Sequence, residues 1–354
     1  MRITRFALAV GCQLACAWAF SDTVNCVDGK ECLIDLPGSS CGDGTQSYFT
    51  LTKRTGAKHL LIYLNGGGAC WDKDTCSGGY VETLTRQETA TDWAGGTGIQ
   101  NSQDPTNPFA KDYNVITVPY CTGDAYTGGA TVDYGTSAQP FVVHHQGYQN
   151  IKLVLSAVKQ LYPDPDKVVL LGCSAGGIGA YVHERNLADT YPDAAKYVVS
   201  DAGTPFKPPF VDATKYAAIM KSWGAQANLP TTGGQSVSDF GALLQYNIAT
   251  YPKIRFGFIS SYQDQVMTFF AWALGAATPL TAVHDLIVDL SDHVLGMSTP
   301  NARVFYVNGN EHCQTPFALN SITSVRSNLG EWLGDLVDDA AAWDNQRPDL
   351  QPNH

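Results

Sequence analysis

The sequence is short of charge. Only 16% of its 354 residues are Asp, Glu, Lys or Arg, against 44% hydrophobic. The 22 basic residues are outnumbered by 33 acidic ones, for a formal net charge of −11. No run of Lys or Arg occurs, which excludes the electrostatic footprint of a nucleic-acid-binding protein. Cysteines never fall at C-x-x-C spacing and histidines never cluster at ligand spacing, so the pattern of a structural zinc site is missing. The adjacent His144 and His145 read as an ordinary loop or helix-end pair. No metal and no cofactor is expected. Internal repeats, linkers rich in Pro or Ser, and N-x-S/T sequons are also lacking.

The first residues differ from the rest. Arg2 and Arg5 are followed by an apolar or small stretch at 6–20 and by Ala17-Trp18-Ala19, an A-x-A cleavage pattern. This predicts a secretory signal peptide over residues 1–19. The apolar stretch is too short for a comfortable membrane span, and no stable membrane insertion is expected. The remaining 20–354 would form one α/β domain, secreted or periplasmic, with its formal charge taken from −11 to −13 by loss of Arg2 and Arg5. Cys12 and Cys16 fall in the signal. Eight cysteines remain: Cys26, Cys32, Cys41, Cys70, Cys76, Cys121, Cys173 and Cys313. An even count in an exported chain predicts up to four disulfides.

From Lys58 onward, short apolar runs alternate with helical patterns. Strands are predicted at 59–64, 113–119, 167–172, 197–200, 254–260 and 303–307. Helices are predicted at 147–162, 175–187 and 320–342, with others between strands. Continuous apolar strands alternating with helices imply a mostly parallel central sheet covered on both faces. Residues 80–108 and 228–239, rich in turn formers, read as surface excursions able to serve as a lid or substrate rim.

The strongest chemical signal is Gly172-Cys173-Ser174-Ala175-Gly176, a G-x-S-x-G motif set directly between a predicted strand and a predicted helix. A sharp turn there exposes the serine oxygen at the sheet's C-terminal edge, and the helix N-terminus behind it favours developing negative charge. Gly66-Gly67-Gly68 follows the strand at 59–64. Its free N–H groups, with that of Ala175, suit an oxyanion hole formed by Gly67, Gly68 and Ala175. In an α/β-hydrolase the acid and the histidine follow the serine in that order. Asp264 lies just past the strand at 254–260, and His312 just past the strand at 303–307. These predict a Ser174, Asp264, His312 triad, in which His312 takes the serine proton and Asp264 holds the imidazole tautomer. Rival acids are Asp285, Asp289 and Asp292, and rival histidines are His284 and His293; all five fall in a helical pattern with solvent-facing spacing. Asp201, after the strand that follows the elbow, is a weaker alternative acid. Cys70 and Cys76, with five residues between them beside the glycine run, are expected to form a disulfide that keeps the Gly67 and Gly68 N–H groups aimed. Cys173 and Cys313 flank two of the triad residues and must come near one another.

Four segments carry a resemblance: 64–71 (Leu-Asn-Gly-Gly-Gly-Ala-Cys-Trp), 118–124 (Val-Pro-Tyr-Cys-Thr-Gly-Asp), 172–177 (Gly-Cys-Ser-Ala-Gly-Gly) and 308–313 (Asn-Gly-Asn-Glu-His-Cys). Together they resemble the pectin acetylesterase and Notum family of serine carboxylesterases, over about 58–313. The resemblance implies an α/β-hydrolase-type fold, the same triad and the same oxyanion positions. It departs at Asn65, where an acid is expected, and at Ala69, where a bulky aromatic is common; both border the acyl pocket. Asp124 would brace the loop beside the site.

The expectation is a secreted carboxylic ester hydrolase that removes short acyl groups, acetate above all, through an acyl-enzyme. Its partner would be an acylated carbohydrate such as pectin, or a small ester. Gly68 and Ala69 pull the other way, leaving room for a longer chain. The alternatives are a lipase-like or polyester-cleaving esterase and, in another class, a non-catalytic binding protein on the same fold. Tyr80, Trp93, Phe109, Trp223 and Trp272 are aromatic candidates for a site lining.

Overall fold

The computed structural model describes residues 26–88, 98–232, 235–296 and 300–349. The expected signal peptide at 1–19 and Trp93 lie outside the described residues. In chain order the elements are β1 (Glu31–Asp35), β2 (Tyr48–Thr52), β3 (His59–Leu64), α1 (Lys73–Ser77), β4 (Tyr113–Val118), β5 (Ala130–Asp133), β6 (Val142–His145) and α2 (Gly147–Leu161). There follow β7 (Lys167–Cys173), α3 (Ala175–Val182), α4 (Glu184–Thr190), β8 (Ala195–Asp201) and α5 (Ala213–Ser222). The rest are β9 (Thr231–Thr232), β10 (Gln235–Ser236), α6 (Phe240–Thr250), β11 (Arg255–Ser261), α7 (Gln265–Ala273), α8 (Pro279–Gly296), β12 (Ala302–Val307) and α9 (Leu329–Val337).

Eight strands form one sheet in the order β1-β2-β4-β3-β7-β8-β11-β12. From β4 to β12 all neighbours are parallel; β1 and β2 add an antiparallel edge. The pleat sends alternate residues to opposite faces. Leu60, Ile62 and Leu64 of β3 join the core on one side, and Leu61 and Tyr63 the core on the other. Both faces are dry, which is why the strand sequences read as unbroken apolar runs. On the second face α9 seats Trp332, Leu333 and Leu336 against Phe305 and Val199. The architecture is thus of the α/β-hydrolase type that the alternation of strands and helices implied.

The differences have local causes. The helix expected over 175–187 is two helices, broken at His183, whose buried ring pairs with the Tyr126 carbonyl at 2.8 Å and with Asn186 at 2.9 Å. The closing helix is shorter than 320–342. Asn328 and Glu331 form a capping box that starts it at Leu329, and Asp339 turns into the left-handed region just after its end. β1 and β2 escaped notice because they are short and β1 shows only alternating, half-exposed burial. His144 and His145 lie on β6, and the 228–239 excursion contains the small β9–β10 ladder.

The chain leaves β3 for β4 on one side, then crosses back to β7 on the other. Such a reversal opens a crevice at the carboxyl ends of the strands. The loops after β3, β7, β11 and β12 all leave that same edge and carry Gly67, Gly68, Ser174, Asp264 and His312, whereas His284, Asp285, Asp289, Asp292 and His293 lie on α8.

Candidate active site

Ser174 occupies the turn between β7 and α3 with φ 57° and ψ −121°, a strained conformation for a residue with a side chain. Close packing explains the flanking glycines. A Cβ on Gly172 would stand 2.1 Å from the Gly176 carbonyl oxygen, and one on Gly176 would stand 2.0 Å from that of Leu64. The turn therefore fits only with small residues on both sides.

The glycine run after β3 lies against this turn. A Cβ on Gly66 would come within 3.0 Å of the Ser174 Cβ. Gly67 and Gly68 have φ of 148° and 77°, and a Cβ on Gly68 would meet the Tyr80 carbonyl oxygen at 2.0 Å. A short antiparallel bridge to 80–82, with Ala69 N–H donating to Tyr80 and Glu82 N–H donating to Gly67, holds the run in place. Among the described residues, the N–H groups of Gly67, Gly68 and Ala175 donate to no protein acceptor. Cys70 is bonded to Cys76 immediately after the run, and the Cys70 carbonyl accepts from the Trp223 indole at 2.7 Å.

Asp264 is fully buried and caps α7. Its Oδ1 accepts the N–H groups of Val266 and Met267 at 3.0 and 2.9 Å, and its Oδ2 accepts His312 Nδ1 at 2.7 Å. A carboxylate only accepts, so Nδ1 carries the proton and Nε2 presents its lone pair. Nε2 is shielded from solvent and has no protein partner. The next residue, Cys313, is bonded to Cys173, the residue before Ser174. A ring nitrogen of His312 lies within 4.8 Å of both sulfurs. Those sulfurs are consumed in the disulfide, so the group offers no thiolate to a metal.

The rival residues are engaged elsewhere. His284 pairs with Asp285, His293 and Lys207 with Asp289, and Asp292 with Arg347. Asp201 is buried beside the His312 loop, where Oδ2 accepts the N–H groups of Gln314 and Thr315. Asp124, also buried, accepts from Thr122 and the Tyr126 N–H with one oxygen and from the Gly128 and Gly147 N–H groups with the other. It thereby shapes the loop that sets Ala125 against the site.

Ser174 and Ala175 line a pocket that opens to solvent and has an interior volume of about 60 Å³. Its wall is almost wholly apolar: Ile178 from α3, Ile219 and Met220 from α5, Phe240 from α6, Met267 and Phe270 from α7, with Trp71 and Trp223. Gly68 and Ala69 also line it, and a side chain at Gly68 would meet the Tyr80 carbonyl. Of the aromatic candidates, Trp223 is on the wall. Tyr80 packs on Trp71 and Phe269, Phe109 is buried in the core of the opposite face, and Trp272 is mostly exposed. Sequence reading missed the wall of α5, α6 and α7, because an apolar helix face lining a pocket has the same periodicity as one buried in a core.

Four disulfides close the described residues: Cys26–Cys32, Cys41–Cys121, Cys70–Cys76 and Cys173–Cys313. They suit an oxidising, extracellular setting. No helix among the described residues is long and apolar enough to cross a membrane.

Comparison with known proteins points to one family of esterases. The Pectinacetylesterase family profile matches residues 30–291. The chain is 28% identical over 156 residues to palmitoleoyl-protein carboxylesterase notum2 of Xenopus laevis, covering 42% of this chain and 30% of that protein. It is 25% identical over 207 residues to pectin acetylesterase 11 of Arabidopsis thaliana, covering 55% and 51%. It is also 34% identical over 92 residues, 25% of this chain and 66% of the relative, to inactive palmitoleoyl-protein carboxylesterase notum1b of Danio rerio. The chain thus spans between about a third and two thirds of the length of these relatives.

Proposed function

The chain belongs to the pectinacetylesterase family, and on that premise we propose that it is a secreted serine carboxylesterase whose acyl substrate enters the pocket beside Ser174. In this reading residues 1–19 are the export signal and 20–354 the single hydrolase domain. His312 Nε2 takes the proton of Ser174 Oγ as the oxygen attacks the ester carbonyl. Asp264 keeps the imidazole oriented and stabilises the imidazolium that forms. The N–H groups of Gly67, Gly68 and Ala175 hold the oxyanion. The imidazolium then protonates the departing alcohol, leaving an acyl-enzyme on Ser174. Water, activated by the same histidine, releases the acid.

The observation that carries this reading is the hydrogen bond between buried Asp264 and His312, on loops that leave the sheet edge where Ser174 turns. The acyl preference rests on the pocket. An acetyl methyl is too small to contact the whole of a wall built from α3, α5, α6 and α7, whereas an apolar chain of several carbons spans more of it. We therefore place medium-length acyl esters ahead of acetate. The family and its plant members favour a second reading, acetate removal from pectin.

Fluorophosphonate labelling followed by intact-mass measurement tests the mechanism, since a non-catalytic relative would not react. One adduct per chain is expected, absent in Ser174→Ala, which should also lose ~10⁴-fold or more in turnover. A Ser174→Ala variant that kept a tenth of the activity would refute the assignment. Acetate release from acetylated pectin and acetylated xylan tests the polysaccharide reading.

A further inference from the structure

We propose that Asp201 is a positioning residue that clasps the Ser174 turn to the His312 loop, separately from Asp264. The inference rests on the triad reading above. Asp201 ends β8 and is fully buried. Its backbone carbonyl accepts the N–H of Ser174 at 2.8 Å. Its Oδ2 accepts three hydrogen bonds of 2.7 Å, from the N–H of Gln314, the N–H of Thr315 and the hydroxyl of Thr315. These donors stand two and three residues after His312. One residue therefore holds the nucleophile from its main chain and the histidine loop from its side chain.

The Cys173–Cys313 disulfide joins the same two loops, but a single link leaves rotation about itself. A second attachment, one and two residues beyond Cys313, removes that freedom. A third reaches toward the acid: Gln314 Nε2 donates to Ser261 Oγ at 3.0 Å, and Ser261 Oγ donates to the Glu311 carbonyl at 2.7 Å. Ser261 ends β11, three residues before Asp264. The Ser174 turn, the histidine loop and the strand of the acid are thus fastened around one buried carboxylate.

That carboxylate is expensive to keep. Its Oδ1 is buried without a protein partner, and burial pushes its pKa up to about 6 against the three hydrogen bonds and the nearby His312. A half-satisfied buried carboxylate costs folding stability, so fold stability alone does not account for its presence.

The test compares Asp201→Ala, Asp201→Asn and Thr315→Val with wild type and Ser174→Ala. Saturating fluorophosphonate counts competent sites, and the labelling rate reports the reactivity of Ser174. Asp201→Ala should label to the same endpoint about 100-fold more slowly, with kcat down in parallel and KM for a soluble p-nitrophenyl ester within about threefold. Asp201→Asn keeps an acceptor for the three donors and should recover at least about tenfold of that loss. Thr315→Val deletes one donor without touching Asp201 and should slow labelling about fivefold, which keeps the proposal testable should the alanine variant not fold. A wild-type rate in Asp201→Ala would overturn the proposal. So would an asparagine variant as slow as alanine, a wild-type rate in Thr315→Val, or fewer labelled sites each reacting at the normal rate. Labelling of Ser174→Ala would instead defeat the triad reading, and the clasp with it.

Discussion

The pocket makes a quantitative demand on the acyl chain. Each methylene moved from water into an apolar wall contributes ~0.8 kcal/mol, about fourfold in an equilibrium or rate constant. Octanoate carries six more methylenes than acetate. If half of them are buried against Ile178, Met220, Phe240 and Met267, the gain is ~2.4 kcal/mol, or about 50-fold in kcat/KM. Full burial would raise that ceiling to roughly 3,000-fold. The perturbation is Ala69→Tyr. Ala69 lines the pocket, and its N–H already donates to Tyr80, so the backbone can stay while the ring fills the space the chain would use. The octanoate-to-acetate ratio should then fall about tenfold or more, with acetate hydrolysis changed far less. The assay is kcat/KM on p-nitrophenyl acetate, butyrate and octanoate, each kept below the concentration at which it aggregates. A wild-type ratio at or below one would refute the reasoning and return acetate to first place. A ratio untouched by Ala69→Tyr would show that the acyl chain lies elsewhere.

Replacing Cys173 and Cys313 with serine should lower Tm by roughly 5–10 °C, because the crosslink closes a loop with a sequence separation of 140. It should also lower turnover, whereas replacing Cys26 and Cys32 should leave turnover intact; equal losses from the two pairs would contradict a role in aligning the site. Asp201 carries a pH signature. Its folded pKa, near 6, lies above the ordinary carboxylate value of 3.8, so between about pH 4 and 6 the native state keeps a proton that the unfolded chain has lost. Stability from this group is full below pH 4 and falls as pH rises through 6. Subtracting the denaturation curves of Asp201→Asn from those of wild type should isolate that decline; a flat difference across the window would mean that Asp201 stays ionised throughout.

How much of this was legible depends on whether a feature is local. The elbow reads directly, because a strand, a tight turn and a helix are contiguous and Gly172 is forced by the Gly176 carbonyl across that one turn, although Gly176 is forced by Leu64 of β3. Asp264 and His312 read nearly as well, since a residue just past a parallel strand must emerge at the shared edge. The buried double role of Asp201 did not read. It depends on a main-chain carbonyl and on two N–H groups 113 and 114 residues away, and neither leaves a mark on residue identity. The pocket wall was illegible for a related reason. Ile219, Met220, Phe240 and Phe270 obey the same helical spacing as core residues, and only their meeting with Ser174, Ala175 and Ile178 around one pocket separates lining from filling. The break at His183 likewise has no proline or glycine to announce it; a carbonyl at Tyr126, distant in sequence, takes the imidazole.

One helix ties these features together. The carboxylate of Asp264 divides its two oxygens between tasks: Oδ1 satisfies the first free N–H groups of α7, and Oδ2 holds His312. The helix therefore fixes the plane of the carboxylate, and through it the plane of the imidazole. Two turns of that helix also carry Met267 and Phe270 into the pocket wall. A displacement of α7 would move the acid and the wall as one body, so the distance from the acyl chain to the histidine cannot drift without breaking the cap. In the proposed mechanism, rigid coupling of this kind lets binding along the acyl chain set the position of the ester carbonyl relative to His312 Nε2, where an error of about 1 Å costs on the order of 100-fold. In that mechanism the α7 cap thus does for the acid what the Asp201 clasp does for the histidine loop. Each replaces a loop's freedom with hydrogen bonds accepted by a buried carboxylate, Asp264 taking the His312 ring and Asp201 the Gln314 and Thr315 N–H groups that follow it.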